Sequence, residues 1–283
     1  MRMRAGLIFM AAAAAFAVTV AGLAGGLAAP GWMVRSADRS ANATLVDVEL
    51  VLAVDVSYSM DPDEQALQRE GYITGLTSRE FMQALRSGIN GKVAVTYFEW
   101  AGPFDQKIIV PWRLIDGPEA ADAFANEIAR APYRRASRTS ISGALRFGAP
   151  LFDDSGFKGF RRVIDVSGDG ANNSGTLVTL ARDETVAAGI AINGLPIMLK
   201  RPSSFTMDIE NLDIYYEDCV IGGPGSFVIP IRERNQFKEA TRTKLVLEIA
   251  GRQPDPIVLP AQVRTPRISC NIGEQMWRDR WGN

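Results

Sequence analysis

The sequence predicts an α/β fold: a doubly wound, mostly parallel sheet with one antiparallel edge strand and helices on both faces. Three observations predict it. From Val46 onward, short apolar runs alternate with helix-like stretches, the pattern of parallel strands joined by crossover helices. The runs in "VDVELVLAVDV" (46–56) and "RRVIDVSGDG" (161–170) are apolar enough to be buried strands. Finally, "KVAVTYFEWA" (92–101) and "QKIIVPWRLI" (106–115) are separated only by the "GPFD" turn, so the second reads as the antiparallel neighbour of the first.

The elements follow in order. After the first strand, "DPDEQALQREGYITGLTSREFMQALRSG" (61–88) is helical, with Pro62 near its start, acids in its first turn and a break at Thr77–Ser78. The two strands of the hairpin come next. "GPEAADAFANEIAR" (117–130) is a helix, and "SISGALRFGAPLF" (140–152) another, with Ser140 or Thr139 placed to cap it. Beyond the 161–170 strand lie a helix in "SGTLVTLARDETVAAG" (174–189) and a strand in "IAINGLPIM" (190–198). "LDIYYEDC" (212–219) reads as a short extended piece leading into the tight turn of "IGGPGSF". A last helix in "RNQFKEATRTKLVLEIAG" (234–251) gathers Phe237, Leu245, Val246, Ile249 and Ala250 near one face, and Gly251 stops it. Residues 252–283 show no period and read as a tail packed on the surface.

The first 29 residues differ in kind. Arg2 and Arg4 precede an uncharged apolar run from Ala5 to Ala29, with small residues clustered before Pro30. This is the pattern of a secretory signal peptide cleaved near Ala28 or Ala29; the alternative is an uncleaved membrane anchor. Either places the rest of the chain outside the cytoplasm, and an anchor would be its link to a membrane. The expected organisation is a signal peptide (1–29), a linker (30–45), one domain (46–251) and a C-terminal tail (252–283). In an exported chain, the two cysteines, Cys219 and Cys270, most simply form one disulfide. A net charge of −1 over 283 residues gives no field that would gather nucleic acid. With no histidine present, Ser-His-Asp triads, Cys-His pairs and His-ligated zinc sites are all excluded.

The chemistry lies in dispersed oxygens. "DVSYSM" ends the first strand with Asp55, Ser57 and Ser59 at alternate positions. "RTSISGAL" offers Thr139 just before a helix, and "VIDVSGDGANN" ends a buried strand at Asp169, between Gly168 and Gly170. In such sheets, ligands bind beyond the carboxyl ends of the central strands. Carboxylates and hydroxyls are hard donors, suited to Mg²⁺, with Mn²⁺ and Ca²⁺ as alternatives, rather than to zinc or copper. Two carboxylates bring a divalent cation near neutrality and leave it able to accept another carboxylate.

This pattern resembles the metal-ion-dependent adhesion site of von Willebrand factor type A domains: D-x-S-x-S at Asp55, Ser57 and Ser59, then Thr139, then Asp169. The resemblance covers residues 46–251, and "INGLPIM" and "CVIGGPGSFV" are similar to an exported bacterial subfamily of these domains. It implies that Ser57, Ser59 and Thr139 ligate the metal, Thr139 when the site is open, while Asp55 and Asp169 act largely through water. It also implies a protein partner supplying an Asp or Glu, no enzymatic activity, and a periplasmic or secreted location. Tyr58 stands where many relatives carry Gly and lies at the rim of the site.

Other residues have plainer readings. Tyr58, Asn172 and Asn173 are candidate partner contacts, though the two Asn residues also suit orienting Asp169 or making the turn. Asp165, inside an apolar strand, needs a buried partner, with Arg138, Arg161 or Arg162 as candidates. The basic run "APYRRASR" (131–138) reads as a solvated loop able to attract an acidic partner. A haloacid-dehalogenase-like phosphatase, with Asp55 as nucleophile, is the enzymatic alternative; it needs an Asp at position 57, where this chain has Ser57, and an Asp at 173, where it has Asn173. A structural envelope component is the third reading.

Overall fold

The computed structural model describes residues 43–200, 207–251 and 267–282. The signal-peptide or anchor segment, most of the linker and residues 252–266 of the tail lie outside the described residues. Five strands form one sheet: β1 (Thr44–Asp55), β2 (Val93–Trp100), β3 (Gln106–Ile115), β4 (Phe157–Gly168) and β5 (Ala191–Pro196). Eight α-helices are described: α1 (Pro62–Leu76), α2 (Arg79–Arg86), α3 (Pro118–Arg130), α4 (Ile141–Gly148), α5 (Val178–Ala187), α6 (Leu212–Tyr215), α7 (Phe237–Ala250) and α8 (Ile272–Trp281).

The strand order is β3-β2-β1-β4-β5. β1 pairs in parallel with β2 and β4, and β4 in parallel with β5, whereas β3 runs antiparallel to β2 at the edge. The architecture expected from the sequence is the one observed.

Alternation along β1 explains why helices cover both faces. Val48, Leu50, Leu52 and Val54 point into one apolar cluster with Tyr72, Phe81, Phe124, Phe237 and Leu245. Val51 and Ala53 point the other way, into a cluster with Ile141, Leu145, Val178, Leu212 and Tyr215. Successive strand side chains face opposite sides, so a strand apolar at every position from Leu50 to Val54 must be covered twice.

Local chemistry sets the helix ends near the site. Asp61 caps α1: its Oδ1 accepts from Glu64 N (2.8 Å), and Glu64 Oε2 accepts in return from Asp61 N (2.9 Å). The break expected at Thr77–Ser78 is present, because Ser78 Oγ accepts from Phe81 N (3.1 Å) and starts a new helix. Small residues bring α7 close to α1: a Cβ on Gly71 would lie 2.8 Å from Thr241 Oγ1, and one on Gly75 2.8 Å from Leu245 Cδ1. Gly251, at φ +64°, closes α7.

Three expectations are corrected. "LDIYYEDC" is helical, forming α6 and a π-helical turn over Tyr216–Val220. Leu212, Tyr215, Tyr216, Cys219 and Val220 are all buried, a spacing with the period of a helix face. The tail is not uniformly irregular, since it contains α8. Asp165 pairs with none of the three arginines. It shares its register with Leu52 and so faces α7, where Lys244 Nζ lies 2.6 Å from its Oδ1 and Tyr72 Oη donates to Oδ2 at 3.2 Å. Lys244 also binds Glu248, whose Oε1 accepts from Asn193 Nδ2 at 3.1 Å. Arg161 donates instead to Glu248 O at 2.7 Å, Arg162 to Ala188 O, and Arg138 lies on Trp277.

Candidate functional site

The parallel strands bring their carboxyl ends to one edge. Asp55 closes β1, and Asp169 follows Gly168, the last residue of β4. The chain runs outward to opposite sides of the sheet from β1 and β4, so the two carboxylates flank the switch point of the topology, where ligands bind in open α/β sheets.

The oxygens of the first and last motifs form a connected chain. Asp55 Oδ1 accepts from Ser57 N at 2.7 Å. Ser57 Oγ and Ser59 Oγ are 2.7 Å apart, and Ser59 Oγ donates to Asp169 Oδ1 at 2.6 Å. Asp55 is fully buried, and its Oδ2 has no hydrogen-bond partner. A side chain at Gly168 would intrude here, because its Cβ would sit 2.8 Å from that oxygen.

Backbone bonds lace the Thr139 loop between the other two. Ala136 N donates to Val56 O at 3.1 Å, next to a bridge between Ala136 and Ser57. Asn173 N donates to Thr139 O at 2.8 Å, while Asn173 Oδ1 accepts from Thr139 N at 3.0 Å. Ser140, not Thr139, caps α4: its Oγ accepts from Gly143 N at 3.1 Å. The Thr139 hydroxyl is left facing the Asp169 loop, 3.7 Å from where a Cβ on Gly170 would be.

Of the candidate partner contacts, Tyr58 is 60% exposed at the rim, with the Arg135 guanidinium 5.5 Å from its ring centroid. Asn173 is half-buried and holds Thr139 as described. Asn172 is corrected. It is completely buried, with Oδ1 accepting from Ser142 N (2.9 Å) and Nδ2 donating to Thr176 O (3.1 Å) and Glu274 Oε1 (2.7 Å), so it faces the protein and not a partner. The basic run is only partly a free loop, since Arg134 pairs with Glu99 at 3.2 Å and with Asp105 at 2.5 Å.

Two charged residues at the site escaped the sequence reading. Lys200 Nζ lies 2.5 Å from Glu64 Oε2 and 3.2 Å from Asp169 Oδ2, and it also reaches the carbonyl of Ser59. Lys200 lies just beyond the carboxyl end of β5, the strand next to β4, and that position was the available signal. Glu64 was legible only as a helix-start acid. A cleft of about 510 Å³, lined in part by Glu64, Asp169, Lys200, Asp208 and Arg232, opens beside the cluster.

The local charge is unbalanced: Asp169 and Glu64 face one ammonium, and Asp55 adds a third carboxylate beside Asp169. Burial, and then the charge of Asp169, push the Asp55 carboxyl well above its usual range. Burial likewise raises Asp169 to about 6, against the pull of Lys200. Among the described residues, no group of three or more His, Cys, Asp or Glu side chains is placed to hold a metal. Any metal held here needs the hydroxyls as well. The residues fit such an ion: the donors are hard oxygens, one buried carboxylate oxygen is unpartnered, and negative charge is in excess.

The sheet order and the helices on both faces are those of the von Willebrand factor type A fold. The fold matches proximal thread matrix protein 1 from the mussel byssus at 12% identity and a TM-score of 0.51, covering 74% of this chain and 49% of that one. It also matches the pilus adhesin SpaC of Lactobacillus rhamnosus GG at 14% identity and a TM-score of 0.55, covering 74% and 31%. At these identities the likeness establishes the fold, and this chain spans about half or less of each protein. No curated protein matches it in sequence. The chain belongs to the family described as protein of unknown function (DUF1194), whose profile matches residues 45–253.

Proposed function

We propose that this chain is an exported, divalent-metal-dependent binding module that recognises an acidic side chain on a protein partner. Ser57, Ser59 and Thr139 would ligate the ion directly, and Asp55 and Asp169 largely through water. Mg²⁺ is the first choice, and Mn²⁺ or Ca²⁺ suit the same donors. When bound, the cation supplies a positive centre that accepts a partner's Asp or Glu carboxylate. The carrying observation is the oxygen chain Ser57–Ser59–Asp169, with contacts of 2.7 and 2.6 Å, beside the unpartnered Oδ2 of buried Asp55.

The chain's own residues set the rest of the chemistry. The Ser57 backbone orients Asp55 through one oxygen and leaves the other for the site. Asn173 fixes Thr139 by its backbone, so the hydroxyl is free to act. Exposed Tyr58 and Arg135 form a rim suited to an acidic partner surface. No bond is made or broken in this reading. The disulfide between Cys219 and Cys270 (S–S 2.04 Å) accords with a periplasmic or secreted location. Among the described residues, no helix is long and apolar enough to cross a membrane.

Calorimetry with MgCl₂ tests the metal, with one site per chain expected and the heat lost in Asp169→Ala. Magnesium at 100 times its Kd should stabilise the fold by about 2.7 kcal/mol, a gain that EDTA reverses. For the partner, capture from a native envelope extract should require magnesium. Capture undiminished both by EDTA and by Asp169→Ala would sink the proposal.

A further inference from the structure

We infer that α8, tethered by the disulfide, is a clamp that holds the Thr139 and Asp169 loops together and so sets the affinity of the proposed metal site. The inference rests on the metal reading above and adds the C-terminal segment to it as a positioning element.

The helix touches both loops and supplies no ligand to either. On the Thr139 side it acts through Arg138, which has φ +77°, the left-handed region, and is the one such non-glycine among the described residues. That backbone is costly for a residue with a Cβ and persists only where surrounding contacts impose it. One such contact is Trp277 of α8, whose ring centroid lies 3.3 Å from the Arg138 guanidinium carbon. Thr139 is the next residue, so whatever holds Arg138 also aims the hydroxyl.

On the Asp169 side, α8 acts through Asn172. Asn172 Nδ2 donates to Glu274 Oε1 at 2.7 Å. Asn172 N donates to Tyr215 Oη (3.1 Å), which in turn donates to Cys270 O (3.5 Å). The approach is close enough that a Cβ on Gly273 would lie 2.2 Å from Asn172 O.

The base of the clamp is anchored twice. Cys270 is joined to Cys219, and Arg267 pairs with Asp218 at 2.9 Å and with Glu217. Gly273 is the single buried residue of α8. A helix that buries so little contributes little to a core, and its specific contacts converge on the two loops. Groups that orient metal ligands without binding the metal typically control affinity by about 10- to 100-fold.

The test uses the full exported chain with its disulfide intact, and measures the Mg²⁺ Kd by calorimetry together with hydrogen exchange of 136–143 and 169–176. Gly273→Ala is the sharpest variant. Alanine is the better helix former, so α8 persists, but its methyl wedges the helix off Asn172. Trp277→Ala removes the contact to Arg138, and Trp277→Phe restores a ring there. The expected result is a Kd weaker by about tenfold in Gly273→Ala and Trp277→Ala, with faster exchange in both loops and recovery in Trp277→Phe. An unchanged Kd in both, against a wild type that binds Mg²⁺, overturns the clamp and leaves the metal reading standing. A wild type that binds no divalent ion overturns both.

Discussion

Two regions of this molecule are built from nearly the same charges. Beneath α7, Lys244 lies between Asp165 and Glu248, and all three side chains are buried at 0–1% exposure. At the carboxyl edge of the sheet, Lys200 lies between Glu64 and Asp169, with Asp55 behind them. Each has one lysine and an excess of carboxylates, but they differ in access and in spare donors. The core cluster is sealed, and its negative excess is relieved by a proton: burial, then the charge of Asp165, raise Glu248 to about 7. The edge cluster opens on a cleft and has three hydroxyls beside it. Burial raises carboxyls in both clusters, Asp55 and Asp169 as well as Glu248, so a proton can relieve either; only the open one, with spare hydroxyls, also has room for a metal. Charge composition alone therefore does not distinguish a structural ion cluster from a binding site.

The largest test of that contrast is removal of each lysine. Lys244→Met strands two carboxylates in the core and should cost about 3–5 kcal/mol in a denaturant melt at pH 7. Lys200 is 31% exposed and its site is open to water, so Lys200→Met should cost less than Lys244→Met. Equal losses would erase the distinction.

Next in size is pH. The Glu248 carboxyl is raised in the folded chain from 4.5 to about 7, so its protonated form is the one folding favours. Its stabilising contribution is complete below pH 4.5 and is lost as pH rises through about 7. Glu248→Gln keeps the neutral form at every pH. Melting temperatures between pH 5 and 8 should therefore fall less steeply in the variant than in the wild type, and parallel slopes would remove the proton from the account.

The smallest effect sharpens the open side. Lys200 places a like charge beside the proposed cation, so Lys200→Met should tighten the Mg²⁺ Kd by about two- to fivefold, the scale of a partly exposed charge interaction. Weaker binding would mean that the lysine supports the site and does not compete with the ion.

Much of this could be read in advance because it is local. Strand and helix periods, the hairpin across "GPFD" and the alternate oxygens of "DVSYSM" each lie within about ten residues of chain. So does the helical spacing of Leu212, Tyr215, Tyr216, Cys219 and Val220, which was present in the sequence and misread as extended. The choice between Thr139 and Ser140 as the cap of α4 was also local, yet it needed coordinates, because both hydroxyls are within reach of the helix start. Asn172 looked like turn chemistry open to solvent until α8 covered it.

The sequence by itself determined the fold class and the cluster of hard oxygens at the carboxyl edge of the sheet. These follow from side-chain period and chemical type, which the chain carries at every position. Tertiary structure alone decided that Asp165 meets Lys244 and not a neighbouring arginine, that Lys200 reaches Asp169 and Glu64, and that the C-terminal helix touches both loops of the site. Such partners are far apart along the chain. Packing selects them, because the facing of a strand and the approach of a helix decide which of several charges of the right sign lies within hydrogen-bond reach.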